Sequence, residues 1–190
     1  MYKIFDNELN YIKNERIKNS LITILKKLPD YFYTDPASST GKYHPEYALG
    51  EGGLVRHTKV AIRIAKELLD NPSLNDFTDD EKDLIIFSLM IHDGLKSGLK
   101  KSKYCLFEHP ILISNFIKDN KNELDLTLDE IDFVSDAVLT HMGPWTKDYK
   151  GNEVLTPPTS KSQKFVHMCD YLASRKFLEV KFDKDNNIIY

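Results

Sequence analysis

The sequence has few cysteines and a single tryptophan, and it has no long apolar run. Of its 190 residues, two are Cys and one is Trp. The apolar stretches 84–87 and 89–91, separated by Ser88, fall far short of the ~20 residues that a membrane-spanning helix needs. Two cysteines give no disulfide framework, so we expect Cys105 and Cys169 to be free thiols. The N-terminal residues contain no apolar segment typical of a secretory signal, and we expect a cytoplasmic protein without membrane contact.

An excess of one charge is also lacking. The 26 basic and 29 acidic side chains give a net charge of −3. Proteins that hold duplex nucleic acid through its phosphates usually present a broad positive surface. The composition therefore excludes broad duplex binding. It gives no indication of the oligomeric state.

Apolar residues recur at three- and four-residue steps along most of the chain, which predicts an all-α fold. The spacing predicts helices over about 7–28, 54–70, 79–93, 109–118, 127–141 and 160–177. The third of these is apolar on nearly all sides and should be the central, buried helix. Three segments that begin at Thr78, Thr127 and Ser160 have the form of capping boxes, which start helices. The alternating tail predicts a small β-hairpin over 178–190.

One long segment, 31–53, lacks helical periodicity and is rich in proline and glycine. A loop of this length inside a compact domain is more often functional than idle. We expect a single domain over 1–190, because this length fits one hydrophobic core. Its parts would be an N-terminal helix within 1–30, the long loop, a core over 54–177 and the hairpin tail.

Four histidines and two aspartates fall at predicted helix ends or on inner helix faces. They are His57, His92, Asp93, His109, His141 and Asp170. A carboxylate buried in an apolar bundle costs on the order of several kcal/mol unless a cation neutralises it. Imidazole and carboxylate groups that project inward from several helices are how bundles bind Mn, Fe, Co, Ni or Zn. The pattern predicts a metal site, although hydrogen-bonded polar residues at helix ends would also account for each position alone.

These residues stand in segments that resemble the HD-domain superfamily of metal-dependent phosphohydrolases. The matching segments read GGLVRHT at His57, MIHDGLK at His92 and Asp93, EHP at His109, LTHMG at His141 and HMCDYLASR at Asp170. Their order is H…HD…H…H…D over 57–170. The segments around His57, His141 and Asp170 are most similar to the HD domain of bacterial 3′-to-5′ exoribonucleases.

The resemblance implies an HD-domain helical bundle that holds one or two divalent ions, of Mn, Fe, Ni, Co, Zn or Mg. The first ion would be held by His57, His92, Asp93 and Asp170. The second would be held by His109 and His141 together with Asp93, which would bridge the two ions. Such a protein would hydrolyse a phosphomonoester or phosphodiester, and we expect a nucleotide or a short oligonucleotide as the substrate.

Lys96 matches the lysine of the family and is expected to hold a phosphate oxygen, so that Asp93 and Lys96 form the catalytic pair. The turn between them departs from the family pattern, because Gly94 and Leu95 stand in exchanged order. Met142 also departs, since relatives often carry a second histidine there.

Three further side chains are candidates for substrate contact. His44, in the long loop, could close over the site as a general acid or base. Trp145 could stack on a base, although a lid or core role fits equally well. Arg175 could contact the substrate or form a surface ion pair. His167 is a candidate for supporting a metal ligand.

Two rival functions stay open. A branch of the same superfamily uses the same ligand order to hold two irons and cleaves C–C or C–P bonds with O₂. A non-catalytic module that binds a nucleotide would use the same fold. The presence of all six ligands argues against that module, because binding alone does not require them.

Overall fold

The computed structural model describes residues 1–38, 44–178, 181–182 and 188–189. Within these residues the chain forms eight α-helices: α1 (Asp6–Leu9), α2 (Glu15–Lys27), α3 (Tyr31–Thr34), α4 (Gly53–Asp70), α5 (Asp79–Ile91), α6 (His109–Asp119), α7 (Leu128–Leu139) and α8 (Lys161–Ala173). The all-α class is thus confirmed. No helix in the described ranges has both the length and the apolar character needed to cross a membrane.

The centre of the fold is α5, as its apolar sequence predicts. Every residue from Asp83 to Ile91 is buried, and α5 packs against α2, α4, α7 and α8. A helix covered on all sides has no polar face, which explains why its apolar residues do not form a stripe. Around it, α4 packs on α8 and α6 packs on α7.

The N-terminal region predicted as one helix is instead two helices, α1 and α2, separated by a turn. The buried carboxylate of Asp83 accepts hydrogen bonds from the backbone N–H groups of Lys13, at 3.1 Å, and of Asn14, at 2.8 Å. The Asn14 side chain then caps α2 by accepting from the N–H of Arg16 at 3.1 Å. The periodicity misses this break because the carboxylate that holds the turn comes from α5, far along the chain.

The three predicted capping boxes are present at the starts of α5, α7 and α8. In each, the Ser or Thr accepts from the N3 backbone N–H, and the N3 Glu or Gln accepts from the cap N–H. The helix ends are less well predicted, since α7 ends at Leu139 and α8 at Ala173, each a few residues early. His141 therefore lies in the turn after α7.

The segment 31–53, predicted as a loop, contains α3 and a 3₁₀ turn at Glu46–Ala48. Its two arms are joined by hydrogen bonds from Ala37 N–H to Ala48 O, at 3.0 Å, and from Gly52 N–H to Thr34 O, at 2.7 Å. A Cβ on Gly53 would lie 2.3 Å from the Ala48 carbonyl oxygen, so only glycine fits where α4 begins. This region therefore holds the start of α4 in place. Residues 39–43 of the loop lie outside the described residues.

At the C-terminus, strand β1 (Lys181–Phe182) pairs antiparallel with β2 (Ile188–Ile189), with Lys181 opposite Ile189. Residues 179–180, 183–187 and 190 of the predicted hairpin lie outside the described residues, so the hairpin as a whole stays a prediction.

Candidate metal centre

All six predicted ligands meet at one end of the bundle. His57 lies near the start of α4, His92 caps the end of α5 with Asp93 next to it, and His109 is the first residue of α6. His141 follows α7, and Asp170 lies in the last turn of α8. Five helices thus deliver their ligands from a terminus or a terminal turn.

The ligands form two clusters, within each of which the donor atoms lie no more than 4.8 Å apart. In the first, Asp170 Oδ1 lies 2.9 Å from His57 Nε2 and 3.4 Å from His92 Nε2. The second joins Asp93, His109 and His141, as the resemblance implies. Asp93 lies between the clusters, because its Oδ2 is 3.6 Å from His92 Nε2 while its Oδ1 is 3.1 Å from His109 Nε2.

Three of the histidines are oriented in the same way. The Nδ1 atoms of His92, His109 and His141 each lie 2.6–2.7 Å from the carbonyl oxygen of the residue three positions earlier. A carbonyl can only accept, so each Nδ1 carries the proton and donates it. The Nε2 of the neutral ring is then the atom with a free lone pair, which is the arrangement of metal-binding histidines.

These lone pairs converge in a way that requires a cation. His109 Nε2 lies 3.1 Å from His141 Nε2, and two acceptors at this distance repel unless a proton or a metal ion lies between them or beside them. The buried Nε2 of His92 makes no hydrogen bond with the described residues. The chemistry of the donors and this orphaned nitrogen both fit divalent ions with nitrogen and oxygen ligands.

Without a metal, protons take the place of the cation. Burial opposes a charge on His109, but its hydrogen bonds to Asp93 and Cys105 raise its pKa to about 9. Burial and the nearby charges of His109 and His92 lower the pKa of His141 to about 3. Of these two histidines, His109 therefore carries the additional proton. Its Nε2–H donates to Asp93 and to the neutral ring of His141.

The two carboxylates remain charged despite their burial. Burial favours the neutral form of Asp93, yet Lys96 and His92 hold its pKa well below the usual range. For Asp170, burial is likewise outweighed by His92 and by the hydrogen bond from His57, so its pKa is also lowered. Both carboxylates are thus deprotonated at neutral pH, and their oxygens are available to bind a metal ion.

A cavity of about 540 Å³ opens above the clusters. All six ligands except His92 line it, and so do the four other predicted site residues, His44, Lys96, Trp145 and Arg175. The structure therefore brings every predicted site residue to one region, with the His92 ring packed against the rings of His57 and His141. A volume of this size is typical of small-molecule pockets.

Lys96 lies at the floor of this cavity, where its Nζ is 2.6 Å from Asp93 Oδ2. The exchanged order of Gly94 and Leu95 has a local reason. A Cβ on Gly94 would lie 2.9 Å from both the Ile91 carbonyl oxygen and the Leu28 side chain, whereas Leu95 is buried in the core. The turn thus keeps Lys96 beside the metal clusters.

His44 lies against the first cluster, with its ring centroid 5.4 Å from that of His57. Its Nδ1 is buried without a hydrogen-bond partner among the described residues. Burial, the charge of His57 and that of Lys96 lower the pKa of His44 to about 4, which keeps the imidazole neutral. A neutral ring at the cavity wall can accept a proton or bind a polar group of a ligand.

Several residues that line the cavity were not predicted to belong to the site, namely Cys105, Met142, Tyr171 and Ser174. Tyr171 had a signal, since it follows Asp170 directly, but adjacency does not reveal which face of a helix is used. The Nδ1 of His167 donates to the backbone oxygen of His141 at 2.7 Å, which places His167 next to a candidate ligand. Cys105 and Cys169 are free thiols, as predicted, and Cys169 is fully buried.

No family model, curated protein or solved structure matches the chain. The helical architecture and the two His/Asp clusters are compatible with an HD-type metal site. The chemistry is therefore inferred from the ligands and the cavity.

Proposed function

We propose that this chain is a divalent-metal-dependent phosphoric ester hydrolase with an HD-type site. The observation that carries the proposal is the arrangement of two buried His/Asp clusters below one cavity, with Lys96 at its floor. His57, His92 and Asp170 would hold one ion, and His109 and His141 the other, with Asp93 within reach of both. When bound, such ions supply Lewis-acid stabilisation of the phosphoryl oxygens and lower the pKa of water.

The protein side chains would supply position and charge. Lys96 is tethered to Asp93 and carries a positive charge next to the clusters, where it would hold a non-bridging phosphate oxygen. The backbone carbonyls that accept from His92, His109 and His141 would fix the orientation of the three rings before a substrate binds. The neutral imidazole of His44 lies at the cavity wall, where it would accept a proton or hold a polar group of the substrate.

The substrate that this site favours is a phosphate ester larger than inorganic phosphate, and we expect a nucleotide or a short oligonucleotide. The cavity is bounded by cationic and metal-binding groups on its floor and by Trp145 and Tyr171 on one wall. A phosphate with an organic substituent would use both.

The test is hydrolysis by the full chain after chelation and reloading with Mn, Fe, Co, Ni, Zn or Mg. Asp93→Asn should lose metal and reduce turnover about a thousandfold or more, since metal ions contribute several kcal/mol to such reactions. Asp132→Asn, an exposed aspartate on α7, is the matched control and should behave like the parent protein.

Three results would overturn the proposal, and the third is binding without turnover. One is hydrolysis that persists in chelator or in the Asp93→Asn protein. Another is binding of two irons with consumption of O₂ and no hydrolysis under anaerobic conditions, which would assign the same ligands to an oxygenase. Tight nucleotide binding without turnover under every metal would favour a binding module.

A further inference from the structure

One wall of the cavity is aromatic, and binding of the phosphate group alone does not account for it. This aromatic wall consists of Trp145, Tyr171 and Arg175, all of which line the cavity. The chemistry at the clusters requires only a phosphate group. A cavity of about 540 Å³ leaves room for a second part of the ligand beside this wall.

The wall is ordered by stacking. The Trp145 and Tyr171 rings have centroids 5.8 Å apart and planes inclined by 19°, so they form a stacked pair. The His167 ring meets Trp145 edge-on, with centroids 6.0 Å apart. His167 is itself anchored by its hydrogen bond to the His141 carbonyl, so the position of the indole is coupled to a metal ligand.

Arg175 completes the wall at the end of α8. Its guanidinium carbon lies 4.5 Å from the centre of the Tyr171 ring, a cation–π contact. Its Nε and Nη2 both donate to Ser174 Oγ, at 3.0 and 2.8 Å. Nη1 makes no hydrogen bond with the described residues and stays available to a ligand.

Trp145 is not a core residue, because 48% of its surface is exposed. An indole that stacks on one ring, meets a second ring edge-on and remains half exposed can stack on a planar group of a ligand, which is how aromatic side chains hold nucleobases. The segment between α7 and α8 contains one other aromatic residue, Tyr149, which is 91% exposed and does not line the cavity. Trp145 is thus the aromatic residue of this segment that faces the site.

We propose that Trp145, supported by Tyr171 and Arg175, forms a subsite for a planar aromatic ring attached to the phosphate ester, and that this subsite determines substrate choice. The inference rests on the proposed function for the phosphate half of the ligand. The ring could belong to a mononucleotide or to the terminal nucleotide of a strand, since both present the same chemistry to the wall.

Trp145 is the only tryptophan of the chain, so its fluorescence reports on the wall directly and without turnover. Chelator-treated protein should be titrated with a nucleoside, a nucleoside monophosphate, ribose 5-phosphate and inorganic phosphate. The nucleoside and its monophosphate should quench the fluorescence, whereas the two ring-free phosphates should not. Quenching of equal size by ribose 5-phosphate, or none by any nucleoside, would overturn the subsite.

Variants separate the members of the wall. Tyr171→Leu removes the stacking support and should weaken nucleoside monophosphate binding about tenfold, while Tyr171→Phe should retain it. Trp145→Ala should raise KM about tenfold for a nucleoside monophosphate but not for glycerol phosphate. Tyr149→Ala is the control and should change neither. Equal effects of Trp145→Ala on both substrates would contradict a ring subsite.

The ring subsite and the hydrolytic activity can be distinguished by experiment. Quenching without hydrolysis under any metal would leave the ring subsite in place and remove the proposed function. Hydrolysis with no preference for ring-bearing esters and no quenching would do the reverse. A mononucleotide that binds as tightly as a hexanucleotide identifies the free nucleotide as the ligand, and a far tighter hexanucleotide identifies the strand end.

Discussion

At the residue scale, the histidines of the centre share one local device. His92, His109 and His141 each use the carbonyl three residues earlier to fix their tautomer. Such a carbonyl is available because each of these residues lies at or just beyond a helix end, or follows a tight turn. His57 lies inside α4 and uses no such carbonyl. Its Nδ1 is buried and has no hydrogen-bond partner in the part of the chain that the structure describes, and Asp170 orients the ring from the Nε2 side.

Gly143 is a residue whose role is visible only in the fold. Its φ is +65°, and a Cβ placed on it would lie 2.2 Å from the His167 ring. Gly143→Ala should therefore add overpacking to a left-handed backbone penalty and destabilise the protein by about 2–4 kcal/mol, measured by urea unfolding. It should also displace His167 from the His141 carbonyl.

Gly151→Ala is the matched control for this prediction. Gly151 has a φ of +85°, but no atom of the described residues lies within 4 Å of a Cβ built there. It should lose only about 1–2 kcal/mol from the backbone conformation. Equal losses of unfolding free energy in the two variants would show that the close approach of His167 to Gly143 does not contribute to the effect.

At the scale of elements, α2 and α7 are joined by an ion pair that also belongs to a capping box. Arg16 Nη1 and Nη2 contact the two Glu130 oxygens at 2.7 and 2.6 Å, while Glu130 accepts from the Thr127 N–H at 2.7 Å. The sequence predicted the box, because its pattern is local. It did not predict Arg16, which lies more than a hundred residues away.

This ion pair makes a prediction about acid stability. The hydrogen bond from Arg16, with further help from Thr127, lowers the pKa of Glu130 to about 2. A lowered pKa in the folded state means that the stabilisation is complete above the unfolded value of about 4.5 and is lost as the pH falls toward 2. Glu130→Gln should cost about 1–2 kcal/mol at pH 7 and nearly nothing at pH 2, measured by thermal unfolding.

Glu81→Gln is the control for the ion pair. Glu81 occupies the same capping-box position at the start of α5, but it makes no ion pair with the described residues. The free-energy cost of this substitution should be nearly the same at pH 7 and at pH 2. A similar pH-dependent loss in both variants would assign the effect to capping and not to Arg16.

At the scale of the whole molecule, five helices bring cationic and anionic groups into one buried site. Metal ions that bind only the folded chain should stabilise it, by about 2.7 kcal/mol at a hundredfold excess over Kd. Because His109, with its pKa raised to about 9, must lose its proton to bind a metal, affinity should increase as the pH rises from 6 to 9. Calorimetry in two buffers of different ionisation enthalpy would measure the released protons.

The metal prediction has its own control. In Asp93→Asn the shared carboxylate is absent, so both the metal-dependent rise in Tm and the proton release should disappear. Stabilisation of Asp93→Asn by the same metals to the same extent would place the ions elsewhere. A pH-independent affinity would contradict the protonated state of His109 in the metal-free protein.

The sequence by itself determined the features that depend on neighbours along the chain. These are the helical class, the buried character of α5, the three capping boxes and the residue types of the six ligands. Periodicity and capping act within a few residues, so they can be read without a fold. The resemblance added the grouping of those ligands around shared ions.

Only the tertiary structure decided the features that depend on distant partners. Asp83 holds the turn that interrupts the N-terminal helix, and Arg16 pairs with Glu130. Tyr171 stacks on Trp145 at the wall of the cavity. Each of these contacts joins elements that are separated along the chain or decides which face of a helix is used. A local sequence pattern contains no information about either property. The candidate metal centre depends on both, because the chain supplies the donor side chains and the packing of five helices brings them within reach of one another.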